Sequence, residues 1–77
     1  MKELLIIAHG SRREASNDEV RILASQLSKM QDLPYSCVSC AFLELAEPLI
    51  PDGLEQCIER GATHINVLPY FLVANIC

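Results

Sequence analysis

Residues 4–8, LLIIA, run directly into His9-Gly10-Ser11-Arg12-Arg13, and this junction constrains the fold more than any other stretch. A short apolar run that does not alternate reads as a strand buried on both faces, the pattern of a parallel sheet. Parallel strands need crossover connections, and the rest of the chain supplies them. Over residues 14–30, Val20, Leu23, Ala24, Leu27 and Met30 form one helical stripe, with Asn17, Asp18, Glu19, Arg21, Gln26 and Lys29 mostly off it. Asp32 and Pro34 end that helix, because proline drives its predecessor out of helical geometry. Residues 35–43, YSCVSCAFL, read as a second strand, and ELAEP as a loop. Residues 51–60 read as a second helix, with Pro51 in its first turn, Leu54, Cys57 and Ile58 facing inward, and Gly61 as its stop. Residues 64–72, HINVLPYFL, are the third strand. The expected fold is α/β, in the order β-α-β-α-β, a parallel sheet with right-handed crossovers flanked by helices.

A chain of 77 residues makes at most one small domain, burying only about 60% of its unfolded surface. A hydrophobic content of 51% is high for that length. A three-stranded parallel sheet also has two open edges and a thin core. Residues 1–77 are therefore expected to be a single but partial domain, or one completed by another copy. The net charge of −4, with no basic stripe, argues against nucleic acid. No run approaches the ~20 apolar residues of a membrane span, and the first residues lack the form of a signal peptide. The expected location is cytoplasmic, with Cys37, Cys40, Cys57 and Cys77 reduced. The CVSC pair is not expected to be a zinc or redox motif: residues three apart on a strand point to opposite faces.

In open α/β sheets, ligands bind beyond the carboxyl ends of the strands. That rule selects residues 9–13, residues 44–48 and the tail after Leu72. His9 can take a proton near neutral pH or ligate a metal, or else be satisfied by loop backbone. Glu44 and Glu47 follow the second strand, where a carboxylate can meet His9 across the crevice, hold a metal or move protons. Each also fits an ordinary solvated loop. Arg12 and Arg13, near a helix amino end, favour anionic ligands or are plain surface charge. His64 opens the third strand, at the wrong end for the crevice, and reads as structural or exposed.

Taken in series, AHGSR, FLELAEP and GATHINVLPYFL resemble the small class II tetrapyrrole chelatases, the sirohydrochlorin cobalt and iron chelatases. The resemblance covers nearly the whole chain. It implies a parallel sheet flanked by helices and insertion of Co2+ or Fe2+, as substrate, into a carboxylate-rich tetrapyrrole without nucleotide. It implies that His9 binds metal and helps remove pyrrole protons, and that Glu44, in the "FLE" motif, supports metal binding or proton transfer. Glu47 is then an ordinary residue near the helix start. Ser11, Arg12 and Arg13 would contact the substrate, the arginines pairing with its carboxylates. Family members usually carry a second histidine, in a segment F-x-x-x-G-x-H, where this sequence has LVANIC. Cys77 falls at that place and becomes a candidate third metal donor, since soft ligands suit several transition metals. The chain reads as truncated after its third strand. Pairing of two copies is expected, because short family members are homodimers with the site between subunits.

Two other readings stay open at this stage. A non-catalytic metal-binding or interaction module would keep His9 and Glu44 without inserting metal. A phosphate-handling enzyme would use HGSRR as an anion cradle, although that loop lacks a glycine-rich phosphate fingerprint.

Overall fold

The apolar run near the amino end becomes the central strand of a three-stranded parallel sheet. The computed structural model describes residues 1–70. Strand β1 (Lys2–Ala8) lies between β2 (Cys37–Phe42) and β3 (His64–Pro69), in the order β2-β1-β3. Helix α1 (Glu14–Ser28) joins β1 to β2, and α2 (Ile50–Glu59) joins β2 to β3. The register pairs Ala8 with Phe42 and Ile7 with Pro69.

Both faces of β1 are covered, which explains its unbroken hydrophobicity. On one side Leu4, Ile6 and Ala8 meet Val38, Phe42 and the α1 residues Val20 and Ala24, with Leu23, Leu27, Tyr35, Cys40, Ala46 and Tyr70 packed around them. On the other, Leu5 and Ala41 lie against α2 at Gly53. A Cβ on Gly53 would stand only 2.8 Å from the Cβ of Ala41. The missing side chain therefore lets the helix axis approach the sheet.

The expected order and element types hold, and the differences are local. Helix α1 stops at Ser28, and Met30 is exposed. Its inward stripe includes Asn17, which is buried at 1% exposure instead of lying off the stripe. In α2 the contact line runs through Gly53 and Cys57, because the helix approaches most closely at the glycine. Ile58, one residue beyond Cys57 and about 100° around the helix, turns out to solvent at 64% exposure. The third strand is traced to Pro69; residues 71 and 72 lie outside the described residues.

Glu3, inside the apolar strand, is fully buried. Arg60, just after α2, donates to it from Nε at 3.1 Å and from Nη2 at 2.7 Å. Those bonds hold the Glu3 carboxyl below the usual carboxylate range against the opposing effect of burial, with the Cys57 and Cys37 thiols helping. Cys37 and Cys40 do face opposite ways. Cys37 is the register partner of Glu3, while Cys40 packs with the α1-side core. Cys37, Cys40 and Cys57 are free thiols, and burial raises those of Cys40 and Cys57. His64 is exposed, as expected, with Nδ1 3.1 Å from the Thr63 hydroxyl. Neither helix packs extensively on β3, and Val67 and Leu68 are exposed at 48% and 42%. Among the described residues no helix is long and apolar enough to cross a membrane.

Candidate active site

The parallel ladder between β1 and β2 continues one step past the ends of the strands. The amide of Leu43 donates to the Ala8 carbonyl at 2.9 Å, and that of Glu44 to the His9 carbonyl at 3.1 Å. The backbones of His9 and Glu44, 35 positions apart in sequence, are thus hydrogen-bonded neighbours at the carboxyl edge of the sheet. Both residues are exposed.

Gly10 is what allows this approach. Its φ is +90°, and a Cβ there would sit 1.7 Å from the Glu44 carbonyl oxygen. No side chain fits in that space, so glycine answers both the backbone conformation and the contact. The space that the missing side chain leaves beside His9 is filled by the backbone of the Glu44 loop.

Ser11 carries a dense set of local bonds. Its amide donates to Asn17 Oδ1 at 2.9 Å, its carbonyl accepts from Asn17 Nδ2 at 2.8 Å, and its hydroxyl oxygen accepts from the Arg13 amide at 3.0 Å. Arg13 occupies the N-cap of α1 without a capping side chain. Arg12 and Arg13 are exposed beside His9 in the loop.

The loop after β2 is held from the same helix. Arg21 Nη2 donates to the Glu47 carbonyl at 3.1 Å, and the guanidinium lies over the Phe42 ring at 5.2 Å from its centroid. Glu14, and Asp18 at 2.8 Å, pair with Nη1 and keep Arg21 firmly protonated. The Phe42 amide closes the loop on itself by donating to the Pro48 carbonyl at 2.8 Å.

Five sequence-selected residues, His9, Ser11, Arg12, Arg13 and Glu44, therefore converge on one edge of the sheet. Cys77 lies outside the described residues. Among the described residues, no three His, Cys, Asp or Glu side chains are grouped so as to hold a metal ion. Glu47, expected to be ordinary, helps line a surface concavity of about 560 Å³ with Leu49, Asp52, Glu55 and Glu59, a lining that includes none of residues 9–13. Sequence reasoning missed Asn17 and Arg21. The available signal was their i,i+4 spacing on the side of α1 that also carries Val20 and Ala24, which puts two polar groups at the edge of a buried stripe.

Comparison with known proteins gives this edge a context. The chain is 40% identical over 73 residues to a sirohydrochlorin ferrochelatase of Priestia megaterium, covering 95% of this chain and 27% of that protein. It is 38% identical to the chloroplastic sirohydrochlorin ferrochelatase of Arabidopsis thaliana over 90% of the chain and 30% of that protein. It is 34% identical to a sirohydrochlorin cobaltochelatase of Methanocaldococcus jannaschii, over 99% of the chain and 52% of that protein. The chain thus spans between about a quarter and about half of the length of these curated relatives. The CbiX family model matches residues 3–76, which takes in both helices, all of the described strands but Lys2, and both site loops; the chain belongs to the CbiX family.

Proposed function

We propose that this chain inserts a divalent metal, Co2+ or Fe2+, into sirohydrochlorin, with the metal as substrate and no nucleotide. One observation carries the reading: His9 and Glu44 are backbone neighbours at the carboxyl edge of a parallel sheet, in a chain of the CbiX family. Relatives named as ferrochelatases and as cobaltochelatases both match, and both names specify sirohydrochlorin.

The chemistry fits the residues. Two pyrrole N–H protons must leave as the metal enters, so a base and a metal donor belong on one side of a flat ring. His9 serves as base and metal donor, since a neutral imidazole nitrogen can do either. Glu44 supplies a second oxygen donor or proton acceptor from the adjacent loop. Arg12 and Arg13 pair with peripheral carboxylates of the ring, and Ser11 can donate its hydroxyl proton to one of them. Cys77 is the proposed third donor. Among the described residues β3 is an edge strand with Val67 and Leu68 exposed, and this supports association of two copies, since such an edge is a surface for another chain.

The test is anaerobic insertion of Co2+ and Fe2+ into sirohydrochlorin, followed by absorbance. The parent chain is expected to form product, and His9→Ala to lower the rate by at least about 100-fold, the usual scale of a lost general base. A parent chain that is folded and binds metal but forms no product would leave the metal-binding module as the reading.

A further inference from the structure

We propose that Asn17 and Arg21 are a pair of positioning residues, each clamping one of the two site loops to helix α1. This deepens the chelatase reading and rests on it only for the catalytic consequence. The residues stand at i and i+4, on the side of α1 that meets the sheet. Asn17 is the buried half: its side-chain amide makes a reciprocal pair of hydrogen bonds with the backbone of Ser11. That pair fixes the turn following His9. Arg21 is the half-exposed member. It reaches the Glu47 carbonyl and covers Phe42, at the two ends of the segment that bears Glu44.

Each clamp has features a solvated residue would lack. A buried asparagine in a helix is costly unless its amide is satisfied, and Asn17 is satisfied entirely by the loop. Arg21 is pre-set by two carboxylates, Glu14 and Asp18, so that Nη2 is directed to the loop carbonyl. The loops meet through backbone, at Gly10 and the Glu44 amide. Neither His9 nor Glu44 belongs to a helix or strand. One rigid helix holding both loops supplies the shared reference that a two-residue site on loops requires.

The test combines amide hydrogen exchange by NMR with anaerobic insertion of Co2+ into sirohydrochlorin, for the parent, Asn17→Asp, Arg21→Gln and the control Glu19→Gln. Asn17→Asp is expected to speed exchange at Ser11 and Arg13 about tenfold, and Arg21→Gln to do so at Phe42 and Glu44. Leu5 and Ile6 in β1 should change by less than threefold. Both variants should lower kcat about tenfold while KM for the tetrapyrrole stays within threefold; Glu19→Gln should match the parent. If the buried carboxylate of Asn17→Asp prevents folding, Asn17→Ala replaces it. Exchange that rises equally across the sheet, or does not rise at the loops, overturns the proposal, as does an unchanged kcat with loosened loops. A parent chain that forms no product defeats the chelatase reading, and the exchange pattern still decides whether α1 clamps the loops.

Discussion

Gly10→Ala is expected to cost about 2–3 kcal/mol of stability and to separate the two site loops. Two effects add. An alanine at φ +90° is strained by about 1–2 kcal/mol. Its Cβ would also overlap the Glu44 carbonyl, 1.7 Å away, so the loops must part and the Glu44–His9 hydrogen bond is lost, worth about 1 kcal/mol. For a chain of this size the sum lowers Tm by roughly 10–20 °C. Gly61 is the internal control. Its φ is +94°, but nothing lies within 4 Å of an added Cβ. Gly61→Ala should therefore show only the conformational part, about 1–2 kcal/mol. Urea unfolding of both variants settles the point: equal losses would mean that the Gly10–Glu44 contact is not tight in solution.

Arg60→Ala is the second large effect. It strands the carboxylate of Glu3, which has no exposed surface, without its two guanidinium donors. Breaking a buried pair costs about 3–5 kcal/mol. Arg60 is itself 38% exposed, and water can partly replace it, so a loss of about 2–3 kcal/mol at pH 7 is expected. The pH dependence gives the signature. In the parent, Glu3 has a folded pKa below its unfolded value. Its stabilisation is present above the ordinary carboxylate pKa of about 4.3 and is lost as pH falls through the lowered folded value. In Arg60→Ala the guanidinium's lowering effect is gone while burial and the Cys57 and Cys37 thiols still act, so the folded pKa lies above the parent's and acidification from pH 7 costs the variant less than the parent. The stability gap between the two chains should shrink as pH falls. Urea midpoints at pH 7, 5 and 4 measure it, and a gap that widens on acidification would sink the assignment. Replacing Glu3 and Arg60 together by methionine should recover most of the loss, since no charge is then left buried.

Much of the fold was legible because the signals are local. The unbroken LLIIA run, the helical stripe after it and the proline and glycine stops each act over a few residues, and together they define the element order and a parallel sheet. The strand-end rule then picked residues 9–13 and 44–48, because a parallel β-α-β unit brings the carboxyl ends of its strands to one edge, and the family resemblance singled out His9 and Glu44 within them. Where reasoning from sequence erred, the cause was a contact that the local pattern does not encode. Ile58 was assigned inward from helical period, but the close approach at Gly53 set the angle at which α2 meets the sheet. Asn17 was assigned outward from polarity, but the backbone of Ser11 waits for it inside. Glu3 went unmarked in its strand, because the residue that makes its burial tolerable is 57 positions away.

By itself, then, the amino-acid order determined which segments are strands and helices, that the strands run parallel, and which residues end them. Hydrophobic period and turn chemistry are properties of neighbouring residues. Only the tertiary structure decided that Gly10 seats the Glu44 carbonyl, that Asn17 and Arg21 hold the two loops to one helix, and that Arg60 neutralises Glu3. Those contacts depend on how closely packed elements approach, to within the width of a single methyl group, and that closeness is set by the whole fold.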